Sequence, residues 1–287
     1  MITSDLAKML SRASVEISSS EHQVAELSAH FARGTDVTIT FLPGDHHERN
    51  LGTAIALRRA GFNPVPHIAA REIHSRDALS DFLARARGEA DVGRIVLIAG
   101  DVAAARGPFK SSFDVAASGL IEAHGVASIA VAGYPEGHPF LDDDHALDGL
   151  VAWRGWGRRT GVQVGVVTQF CFESGPILDW IGALRARGIE LPVTVGLAGP
   201  ATLATLTKFG LRCGIGNSMR ALRGQIGRFG RLLTDNGPDD VVRGLCAAPP
   251  VATAAISGFH LFPFGGLRKS ATWLLEFERD PMVASAR

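Results

Sequence analysis

Arg94-Ile95-Val96-Leu97-Ile98-Ala99 runs apolar from its second residue and stops at Gly100-Asp101. It does not alternate between apolar and polar residues. A strand with one wet face alternates; a strand buried on both faces does not. The segment therefore reads as one strand of a parallel sheet covered on each side. The polar residue at its end is where such a sheet carries its chemistry.

The same pattern recurs in both directions along the chain. Strands are expected at Ala13 to Ser18, Asp36 to Phe41, Asn63 to Ala69, Arg94 to Ala99, Ser128 to Ala132, Val162 to Gln169, Leu191 to Leu197 and Thr253 to Phe262. Between them lie amphipathic stretches that predict helices near Glu21 to Arg33, Asn50 to Ala60, Ser75 to Arg87, Ser111 to His124, Asp144 to Arg159, Gly175 to Arg187, Ala201 to Phe209 and Gly266 to Glu278. Strand and helix alternating throughout imply right-handed βαβ units. Eight of them in 287 residues predict a (β/α)8 TIM barrel, as a single catalytic domain over residues 1–287. The alternative is a doubly wound open sheet, which carries a Gly-rich phosphate loop after its first strand; Ser18-Ser19-Ser20-Glu21 is not one. Gly216 to Leu233 and Asp239 to Leu245 read as extra helices before the last strand.

Composition narrows the function. Lys and Arg number 29, matching 29 Asp and Glu, so there is no electrostatic footprint for nucleic acid or an anionic membrane. No run approaches the roughly 18 apolar residues of a membrane span. Three distant cysteines, Cys171, Cys213 and Cys246, fit neither a disulfide framework nor a zinc site. The expectation is a cytoplasmic protein, with a homo-oligomer open, acting on a small molecule.

Polar residues end nearly every apolar run: Glu16, Thr40, His67, Asp101, then Tyr134, Glu136 and His138, then Gln169, and His260 within the eighth. Each has a plain structural reading. A carboxylate after a strand caps helices, and a lone histidine in a strand is usually a hydrogen-bonded core residue. Together they imply a site, because burying several polar groups costs free energy unless they serve one another or a ligand. Glu16 and Asp101 are the acid/base candidates, since an apolar mouth would keep one carboxyl protonated. Phe170, Phe172, Phe262 and Tyr134 suit a flat heteroaromatic ligand. The Asp142-Asp143-Asp144-His145 run fits a helix start better than a metal site, and Cys171 between two phenylalanines fits an inert packed thiol.

These residues resemble the methylenetetrahydrofolate reductases. The most specific match is Gly133-Tyr134-Pro135-Glu136-Gly137-His138-Pro139, with Ser14-Val15-Glu16, Pro66-His67, Gly100-Asp101, Thr168-Gln169-Phe170-Cys171-Phe172 and Phe259-His260-Leu261-Phe262 collinear around it. The resemblance covers the family's catalytic domain and not the regulatory domain of its eukaryotic members. It implies reduction of 5,10-methylenetetrahydrofolate by NAD(P)H, with NADH the expected donor. Glu16 would be the general acid that opens the folate ring, with Asp101, Gln169 and Phe172 on the substrate. Thr40, His67, Gly100, Tyr134, Glu136 and His138 would line the site of the family's FAD. Two departures bear on that flavin. Ala99 stands where the family has an arginine before Gly-Asp, and Trp153-Arg154-Gly155-Trp156-Gly157-Arg158 replaces a lysine-bearing helix segment. Arg158 or a neighbouring arginine would have to supply the missing phosphate contact. The expectation is direct hydride transfer with FAD bound weakly or not at all, a flavin-bound enzyme being its counterpart. A folate-binding barrel without reductase activity and an unrelated barrel lyase are the alternatives.

Overall fold

A computed structural model describes residues 4–42, 44–138, 141–212 and 235–279. Eight strands form a closed barrel: β1 Ser14–Ile17, β2 Asp36–Ile39, β3 Asn63–Ala69, β4 Arg94–Ile98, β5 Ser128–Gly133, β6 Gln163–Thr168, β7 Val193–Ala198 and β8 Ile256–Phe262. Around the barrel the order is β1-β8-β7-β6-β5-β4-β3-β2, with neighbours parallel. This is the (β/α)8 TIM barrel that the alternation of strand and helix predicts. Contacts divide the chain into two compact units: Ser14–Ala132 with Gly155–Gly165, and Met1–Ala13 with Gly133–Arg154 and Val166–Arg287.

In the unit that carries β1 to β4, the strand period decides which side chains reach the helices. Val15 and Ile17 on β1, and Val37 and Ile39 on β2, are at most 2% exposed. Helix His47–Ala60 sets Leu51, Ala54 and Leu57 against the sheet, and helix Arg76–Ala90 sets Leu79, Phe82, Leu83 and Ala86. Each such side chain contributes roughly 1.5–3 kcal/mol by leaving water. The first of these helices stops at Gly61, whose φ of 91° closes the turn onto the Leu57 and Arg58 carbonyls.

β3 is unusual in carrying Pro64 and Pro66. Neither has a backbone donor. The β3–β4 register begins only at His67, opposite Val96, just past the second proline. The two prolines thus confine that ladder to the C-terminal half of β3.

The expected helix over Ser111 to His124 is two pieces, Ser112–Ala117 and Leu120–Ala123. Gly119 at φ 74° breaks it. The first piece starts with a capping box between Ser111 and Asp114. β5 and β6, like β1, depart from the doubly buried pattern. Their burial alternates, with Ser128, Ala130 and Ala132 on the less buried face of β5 and Gln163, Gly165 and Val167 on that of β6. In the other unit, helix Ser174–Ala186 buries Ile177, Ile181 and Leu184 at helical spacing. Ser4–Leu10 and the ribbon Ala201–Thr202 with Asp235–Asn236 are additions that apolar periodicity did not show. Of the two expected extra helices, one forms as Asp239–Ala247, and Gly216 to Leu233 lies outside the described residues. No helix among the described residues is long and apolar enough to cross a membrane.

Candidate functional site

Two clusters stand at strand C-termini, one in each unit. The first is built on β1 and β3. Because Val15 and Ile17 face the helices, Glu16 faces the opposite way, into the barrel. The register pairs Glu16 with Thr38 and Thr38 with Val65, so these share a face, and His67 lies two residues further along β3 on that face. Strand stagger in a barrel brings inward residues of alternate strands to one level. The outcome is Glu16 Oε2 at 3.6 Å from His67 Nε2, with the side chains only 19% and 13% exposed.

Burial sets the protonation of both groups. It pushes the Glu16 carboxyl up to about 8 and lowers the His67 imidazole to about 4. At neutral pH this pair is a carboxylic acid beside a neutral ring, not an ion pair. A polar network braces it. Asn50 is fully buried on the first turn of its helix, accepts a hydrogen bond from Ser19 Oγ and donates one to the His67 carbonyl (3.4 Å). Gln23 accepts from both the Ser18 amide and its hydroxyl. Thr40, half-buried, donates its N–H to the Ile17 carbonyl. Glu16, Thr40 and His67 are therefore brought together. Asn50 was missed in the sequence, where an asparagine opening a helix reads as a cap.

Gly100 sits at φ 91°, and a Cβ there would lie 3.3 Å from Ala69 Cβ, so the fourth loop passes close over the third. Asp101 follows it with an exposed side chain. The structure does not bury the second acid/base candidate with the first.

The second cluster joins the loops after β5, β6 and β8. The Tyr134 and His138 rings lie 4.6 Å apart across a turn in which Gly137 donates to the Tyr134 carbonyl. Gln169 donates its backbone N–H to the Gly133 carbonyl, and its side-chain oxygen accepts from the Phe170 amide. The Cys171 thiol is buried and hydrogen-bonded to Glu136, and both burial and that carboxylate raise its pKa, so it is an inert thiol tying two loops. Phe172, Phe209, Phe262 and Phe264 pack half-buried over Phe170, with Phe209 and Phe264 stacked at 4.2 Å. His260 is a core residue, 2% exposed, with its ring edge-on to Phe262.

The arginines of the helix after β5 are not placed to hold a flavin phosphate at the strand C-termini. Helix Asp143–Thr160 starts just after β5 and ends just before β6. Arg158 lies exposed in its last turn, about 22 Å along the axis from its start at 1.5 Å per residue. Just beyond, Gln163 bonds the Ala127 carbonyl, at the N-terminal edge of β5. Arg158 is thus at the wrong end of the strands for a site at their C-termini. Arg154 is bonded to the Gly188 carbonyl, which precedes β7. Beside Ala99 the structure supplies Arg71, whose amide and Nε both donate to the Ala99 carbonyl, at 2.9 and 3.4 Å. Among the described residues no group of three or more His, Cys, Asp and Glu is arranged to hold a metal ion.

No protein-family model matches the chain. Its fold is similar to that of an uncharacterized protein from Clostridium thermocellum that binds two copies of 5-methyl-5,6,7,8-tetrahydrofolic acid. The TM-score is 0.57 at 11% identity, over 94% of this chain and 97% of that one. Dihydropteroate synthase from Thermus thermophilus aligns over 93% of this chain and 92% of its own, with a TM-score of 0.44 and 18% identity.

Proposed function

We propose that this barrel binds a reduced folate at the Glu16–His67 cluster, and that Glu16 is the group that gives the bound pterin a proton. One observation carries the reading: a carboxylic acid that keeps its proton to about pH 8, fixed at the end of the first strand beside a neutral imidazole. A reduced pterin presents basic nitrogens, and a neutral acid both binds and protonates such atoms. The Clostridium thermocellum protein, which shares the fold over nearly its whole length, supports a folate as the ligand.

The finer reading is methylenetetrahydrofolate reduction. Glu16 protonates the folate nitrogen as its bond to the methylene carbon breaks. The iminium so formed takes a hydride from a nicotinamide nucleotide, NADH by expectation, and the product is 5-methyltetrahydrofolate. The misplacement of Arg158 and the engagement of Arg154 support a direct transfer without FAD. The second reading is binding of the folate without reduction, as one component of a larger system. It is favoured by the Clostridium thermocellum protein, which is described by the folate it binds.

The test is calorimetric titration with 5-methyltetrahydrofolate, then NADH oxidation with methylenetetrahydrofolate, with and without FAD. Saturable binding with flavin-independent oxidation supports the reductase. Binding without oxidation in either mixture supports the second reading. No binding overturns both.

A further inference from the structure

Behind the loops after β2 and β3, between helices His47–Ala60 and Arg76–Ala90, lies a cavity of about 230 Å³ that the proposed folate chemistry does not use. One wall is aromatic. The His47 ring is tilted against Phe41 (4.7 Å) and edge-on to Phe82 (5.5 Å). Another holds Glu72, a charged residue only 7% exposed, whose Oε2 receives Arg106 Nε at 2.9 Å. A carboxylate has about four acceptor positions, so one guanidinium bond leaves room for a further donor.

The charges around the cavity are matched. Glu48 and Asp81 both reach Arg85, and Asp45 faces Arg49 while accepting the Leu42 amide. No unopposed arginine waits for a phosphate, and the acidic residues would oppose one. The histidines and carboxylates here form no group that could hold a metal ion. What remains is an aromatic wall, a buried acceptor and an imidazole whose Nε2 is buried without a hydrogen-bond partner. Burial, with His74 and His46 nearby, lowers His47 to about 4, so it is a neutral ring at physiological pH.

We infer that this cavity is a second binding site, for a neutral amino-substituted nitrogen heterocycle. The heterocycle packs on the wall made by Phe41, His47 and Phe82, and its exocyclic amine donates to Glu72. Two sources share that chemistry: the adenine end of a nucleotide, and a pterin. The inference is independent of the folate reading at Glu16.

The test is calorimetry on the full chain at pH 7 with adenosine and, separately, pterin as probes. One of them is expected to bind with submillimolar affinity, and its identity names the source. Glu72→Gln should weaken that binding at least tenfold. Ala78→Phe, at an exposed position on the cavity rim, should abolish it without touching the core. Ala78→Phe should leave 5-methyltetrahydrofolate binding unchanged, which separates failure here from failure at Glu16. Absence of binding by both probes, or affinities unmoved by both substitutions, overturns the inference.

Discussion

Glu16 on β1 and His67 on β3 meet at 3.6 Å across an intervening strand, and burial keeps the first protonated and the second neutral. The pair holds one mobile proton on the carboxyl, where a general acid needs it. Glu16→Gln keeps the size and a donor but has no proton to give. It should lower any folate-dependent turnover by about 10²–10⁴-fold, the usual range for a general acid. Affinity for 5-methyltetrahydrofolate should change far less, and steady-state kinetics beside calorimetry separate the two.

The same shifts predict how stability depends on pH. Glu16 protonates near 4.5 unfolded and about 8 folded, so between these values the folded state holds the extra proton and stability falls as pH rises. His67 protonates near 6.5 unfolded and about 4 folded, so over that interval stability rises with pH. The two trends offset each other up to pH 6.5, and a net loss remains from 6.5 to 8. Its size is about 2 kcal/mol, at ~1.4 kcal/mol per pH unit. Urea denaturation across this range should show the loss in the wild type and a flatter curve in Glu16→Gln.

Asn50→Leu tests the brace behind the pair. It removes the partner that Asn50 gives the half-buried Ser19 hydroxyl and the His67 carbonyl. The expected cost is about 1–3 kcal/mol for buried polar groups left unpaired. Thermal unfolding checks it, with Asn50→Asp expected to be no milder at neutral pH, because it keeps the acceptor for Ser19 but sets a buried carboxylate against the His67 carbonyl.

Gly100→Ala should also destabilise, by about 1–3 kcal/mol, because its φ of 91° disfavours a side chain and the new methyl would press on Ala69. Gly52→Ala, on an open helix surface, is the control and should stabilise by about 0.5–1 kcal/mol.

The barrel was legible in the sequence because strands covered on both sides need apolar runs such as Ile95 to Ile98, and such runs recur between amphipathic stretches along the chain. Glu16 and His67 were legible as polar breaks at run ends. Their contact was not, since it depends on stagger across β2. Asn50 was hidden because its role is set by Ser19 and the His67 carbonyl, distant in the chain. Asp101 read like Glu16 but lies exposed, in the loop that opens at Gly100 with a φ of 91°. Arg158 read as a phosphate contact only through the family resemblance. Helix direction, which an 18-residue element makes decisive, carries it to the other end of the strands.

The most direct test of the folate reading is calorimetric titration of 5-methyltetrahydrofolate into the wild-type chain at pH 7 and at pH 9. The account predicts saturable binding at pH 7 that weakens by up to about tenfold at pH 9, where Glu16, with its pKa of about 8, has largely lost its proton. Glu16→Gln should show equal affinity at both values. No binding at pH 7, or a wild-type affinity that does not change with pH, would contradict it.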